Sequence, residues 1–420
     1  MILMKIAIVT PSYYPIVGGT ESAVQSLASE LNERGVHADV ITFNMDKKWE
    51  PVCRWKIEKT NGFNIIRTPA LNSPRLSFRY KINPLEKLFL LNVIPQPSII
   101  RILQNYSIIH FHDEVDLSFP LFSYFVRKPK ILHFHSLGYT WGFYKKNALC
   151  KSLLRGLFQY YICNSNESLR LLLDLGIDKE KISVIPNSVN LEKFSTRTYM
   201  NHLHEPEKDL VFNHNTKKIV FVSRLSNEKL IAITSTIKAV PKIVQKIPNA
   251  QIILVGGGPC FDYINTLAER INKQLARKAV VVMDEIKDAR GERIAKIMNL
   301  ADVVIGIGRV ALEGMALGKP VIIAGSTLGT LGGNFGGIVT EENVTHLKDF
   351  NFSGRNSSEK TTHNRIAEAV IELLSDEKYR QSIGEFGRRF VEKEHDIQKI
   401  AEEIEAIYNT ILKEDKKARM

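Results

Sequence analysis

The sequence predicts an α/β protein built from two doubly wound domains, and three observations carry that prediction. The chain has 420 residues, more than a single hydrophobic core usually serves. Apolar residues make up 44% and charged residues 24%, the balance of a globular protein able to bury two such cores. Apolar, β-branched runs alternate with amphipathic helical stretches, and this alternation starts again after a polar, aperiodic segment at residues 190–216. Such alternation produces βαβ units and parallel sheets.

The predicted elements follow in order along the chain. The first series of strands spans residues 5–10, 37–43, 63–68, 107–111, 131–135, 160–163 and 182–185, with helices at 21–34 and 167–175. The second series spans 218–222, 251–255, 279–283, 303–307 and 321–324, with helices at 231–246 and 261–274. Beyond residue 351 the chain is predicted to be helical, apart from a loop at 353–358. Ligands of doubly wound sheets bind beyond the carboxyl ends of the strands, so we expect function in those loops, at a cleft between the domains.

The positive charge of the chain is concentrated in one region. The net charge is 57 − 45 = +12, and residues 51–155 hold 16 Lys/Arg against 5 Asp/Glu, or +11. Apolar patches at residues 88–94 and 141–144 lie in the same stretch. Basic residues mixed with large apolar ones suit an anionic membrane surface, and a solvated basic face over ordinary core helices is the alternative. No nucleic-acid-binding motif accompanies the charge, so nucleic acid is not an expected partner.

Localisation is predicted from what the sequence lacks. The apolar N-terminal run has no basic n-region and ends at Pro11, unlike a signal peptide. No apolar run reaches the ~20 residues of a membrane-spanning helix. The four cysteines are scattered without a CxxC pair, which favours neither a metal site nor a disulfide framework. We therefore expect a cytoplasmic protein, peripheral on the inner membrane face if the basic region binds lipid.

The loops of the first series contain glycines and histidines. Gly18 and Gly19 precede a helix, where bare backbone N–H groups can meet a phosphate or sugar, although a plain turn would look the same. His110 and His112 end one predicted strand, and His133 and His135 end the next.

Strand alternation sends both histidines of each pair to one face, where neutral imidazoles can bond sugar hydroxyls. For His110 and His133 we expect the commoner case of a buried histidine with its hydrogen bonds satisfied. A metal site completed by Asp113 is not favoured.

The loops of the second series contain cations, glycines and one acid. Arg224 and Lys229 follow a strand directly and suit a departing diphosphate, because fixed cations stabilise the charge that develops on its oxygens. Gly257 and Gly308 lie in loops that allow close backbone approach to a ligand. Glu313 is predicted near the start of a short helix, where the helix dipole favours its charge and it can accept hydrogen bonds from both ribose hydroxyls. A capping or solvated glutamate is the alternative.

Together these motifs resemble the retaining glycosyltransferases of family 4, which have the GT-B fold of two Rossmann-like domains facing each other across a cleft. The resemblance covers almost the whole chain. Its most specific part is LEGMALGKPV at residues 312–321, and it also includes GGTE at 18–21, HFH at 110–112, KISVIPNSV at 181–189, SRLSNEK at 223–229 and IILVGGGP at 252–259.

The resemblance implies a role for each motif. Glu313 would hold the nucleotide ribose, Arg224 and Lys229 the diphosphate, and His135 the transferred sugar, with Gly18 and Gly19 beside the donor phosphates. The last helix would cross back to the first domain. This implies an acceptor domain of residues 1–192 plus 397–420 and a nucleotide-sugar domain of residues 213–396. The implied reaction moves a hexosyl group from a nucleoside-diphosphate sugar, expected to be UDP-linked, to an envelope polysaccharide, a lipid-linked sugar or another glycan. It needs no metal or other cofactor.

One departure from the family pattern bears on activity. The family has a second glutamate eight positions before the one at Glu313, at the donor sugar, and here that position is Ile305. Backbone amides of residues 306–309 and the charge of Arg309 could bind the sugar instead. The departure motivates one alternative, a non-catalytic protein that binds a nucleotide sugar or glycan. A sugar-nucleotide epimerase or a phosphorylase on the same fold is a second alternative. The Glu313 segment disfavours the epimerase because it matches the transferase motif, and the lack of anything resembling a pyridoxal phosphate lysine site disfavours the phosphorylase.

Overall fold

The chain folds as two units in a computed structural model that describes residues 4–16, 18–46, 52, 54–60, 62–69, 97–112, 125–135, 148–195, 215–284, 292–326 and 333–419. One unit comprises Met1–Asn187 with Ile397–Met420, and the other Ser188–Asp396. We refer to them as the first and second unit.

The first unit contains a mostly parallel sheet. Its strands within the described residues are β1 (Lys5–Thr10), β2 (His37–Phe43), β3 (Lys56–Lys59), β4 (Asn64–Thr68), β5 (Ile108–His112), β6 (Lys130–Phe134), β7 (Tyr160–Cys163) and β8 (Ile182–Val184). They lie in the order β3-β4-β2-β1-β5-β6-β7-β8, and only β3 runs antiparallel to its neighbour. The strand order reverses between β1 and β5, which is where ligands bind in such sheets.

The second unit repeats this architecture with fewer strands. Its described strands are β9 (Lys217–Val222), β10 (Ala250–Val255), β11 (Val280–Met283), β12 (Val303–Gly306), β13 (Val321–Ala324) and β14 (Phe335–Ile338). They lie in the order β11-β10-β9-β12-β13-β14, parallel except for β14. Here the order reverses between β9 and β12, so the loops after those two strands flank the expected binding position.

Helices cover the sheets. Those described are α1 (Gly19–Glu33), α2 (Pro97–Gln104), α3 (Ala148–Leu157), α4 (Asn166–Asp174), α5 (Leu230–Lys246), α6 (Phe261–Gln274), α7 (Glu292–Asn299), α8 (Arg309–Ala316), α9 (Val344–Asp349), α10 (His363–Ser375), α11 (Glu377–Glu394) and α12 (Ile397–Arg419). The C-terminal α12 packs beside α1 in the first unit, where Ile404 and Tyr408 join Ile8 and Val24 in one buried apolar cluster. Apolar burial of this kind stabilises the unit by roughly 25 cal/mol per Å².

The predicted fold class is confirmed, and the predicted strands and helices are found to within two residues at their ends. The sequence analysis missed β3 and β14. Both are antiparallel edge strands: β3 is polar and largely exposed, and β14 contains two glycines, so neither forms the continuous apolar run of a buried parallel strand. The predicted loop at 353–358 is longer, because α10 begins only at His363.

Candidate functional site

The loop after β9 holds the two predicted diphosphate-binding cations. Leu225 is fully buried and anchors the loop, while Arg224 is exposed. The chain then turns through a 3₁₀ helix, Asn227–Lys229, directly into α5. Lys229 is therefore at the N-terminal end of a long helix, where backbone N–H groups also favour an anion.

Lys229 lies in an environment that disfavours its own charge. Burial lowers the pKa of its ammonium group, and the cations Arg224 and Arg355 lower it further, while Glu228 opposes them. The charges of Arg224 and Arg355 therefore both act on the ammonium group of Lys229. An arrangement of like charges is relieved when an anion binds among them. The sequence analysis did not identify Arg355.

Arg355 belongs to a loop whose backbone is unusual. Asn351 and Phe352 have positive φ angles of 52° and 51°, a left-handed conformation that non-glycine residues adopt only under constraint. Gly354 also has a positive φ, of 79°, and a Cβ there would overlap the carbonyl oxygen of Asn334. Close backbone packing thus holds the loop in place. Two successive left-handed residues have no sequence signal of their own, so the sequence analysis did not predict this backbone conformation.

The glycine loop after β10 supports the Arg224 loop. The amide of Leu225 donates to the carbonyl oxygen of Gly257 at 2.8 Å. Side chains at Gly256 or Gly258 would overlap the carbonyl oxygens of Ser223 and Leu225. Close packing of two loops is thus a structural reason for glycine here, and donor binding by Gly257 stays a prediction.

Glu313 lies in the middle of α8 rather than near its start, so the expectation of helix-dipole stabilisation is wrong. Its Oε1 accepts a hydrogen bond from Nε of Arg309 at 3.0 Å, and the two side chains are only 12% and 9% exposed. Burial raises the pKa of Glu313, and Arg309 and Lys193 oppose that rise. Nearby cations therefore favour the ionised form of the Glu313 carboxyl group. The carboxylate can also accept further hydrogen bonds from a ligand.

One expectation about the segment before α8 needs correction. The amide of Gly308 donates to the carbonyl oxygen of Phe352 at 3.0 Å, so this amide of the 306–309 segment is committed to the protein rather than to a sugar. Gly308 also has φ of 56°, which explains the glycine through the backbone alone. Ile305 is fully buried in the core of the second unit. It occupies a position at the β9–β12 reversal but presents no polar group there.

In the first unit, the predicted phosphate loop starts α1. Gly18 is the N-cap and Gly19 the first helical residue, and nothing lies within 4 Å of the position of a Cβ on Gly19. A Cβ on Gly18 would meet the carboxylate of Glu21, which accepts a hydrogen bond from Ser12 at 2.5 Å. Glu21 adds a negative charge beside this loop, and the role of the two glycines stays a prediction.

The four strand-end histidines of the first unit come together as alternation predicts. His112 lies opposite His133 in the β5–β6 register, and neighbouring rings stack or tilt with centroids 4.2–5.5 Å apart. Nδ1 of His110 shares a 2.6 Å hydrogen bond with the hydroxyl of Tyr408, and Nδ1 of His112 shares one of 2.6 Å with Nε2 of His135. Ring contacts and a direct hydrogen bond therefore link the predicted sugar ligand His135 to the buried histidines.

These histidines are buried, but the expectation that His110 and His133 have all their hydrogen bonds satisfied is wrong. Within the described residues, Nε2 of His110 and Nδ1 of His133 have no partner, and the same holds for Nε2 of His112. Burial lowers the pKa of His110 to about 3 and those of His112 and His133 well below the usual range, with neighbouring imidazoles acting in the same direction. All three rings are neutral at physiological pH.

The structure describes only part of the basic stretch at residues 51–155. Residues 88–94, residues 141–144 and Asp113 lie outside the described residues. Two of its described cations are internal: Arg67 pairs with Glu58, and Lys130 donates to backbone carbonyls. Phe125, in contrast, is 65% exposed and adjoins the basic pair Arg127 and Lys128. Across the described helices, none combines the length and apolarity needed to span a membrane.

Comparison with known proteins covers both units. Residues 17–193 match the family model of Glycosyltransferase Family 4, and residues 205–390 match that of the glycosyl transferases group 1. An uncharacterised glycosyltransferase of Methanocaldococcus jannaschii is 26% identical over 96% of this chain and 98% of its own. The alpha-monoglucosyldiacylglycerol synthase of Streptococcus pneumoniae is 24% identical over 77% of this chain and 71% of its own. The crystal structure of Anabaena HepE with UDP and glucose has a TM-score of 0.64 and 18% identity, over 97% of this chain and 100% of that one.

Proposed function

Because the chain belongs to the family 4 glycosyltransferases and has their GT-B fold, we propose that it transfers a hexosyl group from a UDP-sugar to a lipid-linked or glycan acceptor with retention of configuration. UDP is chosen because the structural neighbour HepE binds it. The acceptor class is chosen because the pneumococcal relative is a glycolipid synthase.

The observation that carries the proposal is the group of cations beside the strand-order reversal of the second unit. There burial lowers the pKa of Lys229, and the charges of Arg224 and Arg355 lower it further, against the opposing charge of Glu228. A nucleoside diphosphate would bring these cations negative charge in addition to that of Glu228. Cations held in place by the fold stabilise a leaving diphosphate without first having to reorganise.

The proposed step balances without a protein nucleophile. The bond between the anomeric carbon and the β-phosphate oxygen breaks, and the acceptor oxygen bonds to the same face of that carbon. The electron pair leaves with the diphosphate, where Arg224, Lys229 and Arg355 stabilise it. The acceptor's hydroxyl proton passes to a phosphate oxygen. Glu313 binds the ribose hydroxyls, and Arg309 opposes the rise that burial causes in the pKa of its carboxyl group.

Donor binding is tested by thermal shift with UDP-, GDP-, ADP- and dTDP-sugars on the wild type and on Glu313→Ala, each compared with its own unliganded Tm. A ligand at 100 times its Kd adds about 2.7 kcal/mol of stability. We expect a shift with the UDP series that Glu313→Ala loses and that Glu385→Ala, an exposed control, retains. No shift with any nucleotide sugar in the wild type would overturn the proposal.

Turnover is tested by UDP release in the presence of acceptor, with the anomeric configuration of the product read by NMR. Removing one group that stabilises a transition-state charge costs about 100- to 1,000-fold in kcat, so we expect losses of that order for Arg224→Ala and Lys229→Ala. Lys238→Ala removes an exposed cation from the same helix and should leave the rate unchanged. Equal rates in all three variants would refute the assigned roles.

The acceptor side of the proposal is membrane docking through the basic stretch. Phe125 with Arg127 and Lys128 offers an apolar ring beside two cations, which suits an anionic interface. We expect wild-type protein to bind vesicles containing phosphatidylglycerol, more weakly as salt rises. Phe125→Ser should weaken binding, while Tyr263→Ser, at a 56% exposed ring of the second unit, should not. No vesicle binding at low salt would refute this part.

The non-catalytic alternative rests on Ile305. Because its side chain is buried in the core, the position contributes no carboxylate to a donor sugar. The two functions separate in one comparison: a binding protein gives the UDP-sugar thermal shift without releasing UDP, whereas a transferase releases UDP when acceptor is added.

A further inference from the structure

The histidine cluster of the first unit has the makings of a metal site. His110, His112 and His133 each offer one ring nitrogen, and these three atoms lie within 4.8 Å of one another. The residues come from two adjacent parallel strands, β5 and β6, and not from a loop. Rigid strands hold ligands at fixed separations, so the grouping is a property of the fold.

Among the described residues, one buried nitrogen of each of these three rings has no hydrogen-bond partner. These atoms are Nε2 of His110, Nε2 of His112 and Nδ1 of His133. Buried polar atoms are rarely left so, and three together indicate a shared occupant.

One assignment of tautomers accounts for the hydrogen bonds that Nδ1 of His110 and Nδ1 of His112 make, and it leaves the Nε2 lone pair of each ring available. If Nδ1–H of His110 donates to the hydroxyl of Tyr408 and Nδ1–H of His112 donates to Nε2 of His135, both Nε2 lone pairs point away from those bonds. Such bonds from the second ring nitrogen orient histidine ligands in metal proteins. Tyr408 reaches the cluster from α12, 298 positions along the chain from His110.

We propose that His110, His112 and His133 bind a divalent transition metal ion of the zinc type. Nitrogens 2.0–2.1 Å from zinc at tetrahedral angles lie about 3.4 Å apart, so the widest pair must close by at most about 1.4 Å when the ion binds. A set of three histidines is known from zinc sites that keep a fourth position open. The ion would also fix His112, and through it the orientation of His135. The inference does not depend on sugar transfer.

The test measures zinc itself on the untagged full chain. The protein is stripped with chelator, dialysed against buffered zinc and analysed by elemental mass spectrometry, and cobalt is substituted to record the visible spectrum of a tetrahedral site. We expect a single zinc ion per chain, lost in His133→Gln and kept in His363→Gln, a histidine exposed in the second unit. Tyr408→Phe keeps the ring but removes the hydroxyl, and should weaken zinc binding by about 10- to 100-fold.

Three results would overturn the proposal. A buried water molecule is the competing occupant, and wild-type protein without stoichiometric zinc after dialysis would favour it. Zinc retained by folded His133→Gln would put the ion elsewhere. If His133→Gln does not fold, unchanged zinc affinity and cobalt spectrum in Tyr408→Phe decide against the site.

Discussion

The Arg309–Glu313 pair makes a sharp prediction about charge in the second unit. The two side chains are 9% and 12% exposed, and their hydrogen bond is 3.0 Å long. Arg309→Met keeps the length of the side chain but leaves the carboxylate without its nearest cation. Breaking a buried pair in this way costs about 3–5 kcal/mol, so the unfolding free energy of the second unit should fall by that amount near neutral pH.

The same variant should show a distinctive pH dependence. Burial already raises the pKa of Glu313, and removing Arg309 takes away a group that lowers it. Between the unfolded and the raised folded pKa, the native state binds the extra proton, so stability rises as pH falls. The deficit of Arg309→Met should therefore shrink on going from about pH 8 to about pH 5, by up to about 1.4 kcal/mol per pH unit.

Urea unfolding followed by far-UV circular dichroism measures the effect. The three tryptophans all belong to the first unit, so their fluorescence reports that unit separately. Arg389→Met is the control: it breaks a helical pair with Glu385 whose side chains are 69% and 72% exposed, and it should cost less than about 1 kcal/mol. Equal losses in the two variants, or a deficit that does not change with pH, would refute the reasoning.

Three further predictions follow from the same unit. Lys229→Gln should leave the unliganded protein as stable or more stable, because burial and Arg355 disfavour the ammonium at neutral pH. Its affinity for UDP, measured by calorimetry, should nevertheless fall about 10- to 150-fold, the equivalent of a charged hydrogen bond of about 1.5–3 kcal/mol. A less stable variant would contradict this. Gly354→Ala should lower Tm more than Gly318→Ala, because both have positive φ but only the first Cβ overlaps a carbonyl oxygen, and equal Tm values would refute it. Ile305→Glu should lower the free energy of unfolding in urea by more than about 3 kcal/mol without improving UDP-sugar binding, because it places a carboxylate in the core. Ile305→Val should lower it by only about 0.5–1.5 kcal/mol. A stable Ile305→Glu variant with a larger thermal shift would show that the position faces the donor.

Much of the site was predictable because strand ends are predictable. Parallel strands buried on both faces need continuous apolar runs, so the positions of Arg224 and Lys229 after β9 follow from local sequence. Alternation likewise predicts that His110 and His112 share a face. These inferences depend on spacing over a few residues, and such spacing survives folding unchanged.

The electrostatic state of the site was not predictable in the same way. Glu313 seemed close to a helix start, but α8 begins at Arg309, which becomes its partner one turn earlier. Arg355 acts on Lys229 from a loop that contains two left-handed residues and a closely packed glycine, and local sequence does not predict that approach. Burial and charge separation decide these pKa shifts, and both are properties of the packed unit.

The sequence by itself determined the two sheets, the order of their elements and the loops that carry polar side chains, because periodicity and turn chemistry act over short stretches. Only the tertiary structure decided which of those side chains meet. The contact between His110 and Tyr408 joins residues 298 positions apart. The three histidine nitrogens that have no partner among the described residues come together only once β5 and β6 have paired. Hydrogen bonding between distant residues leaves no period in a sequence, since it depends on which faces the fold brings together.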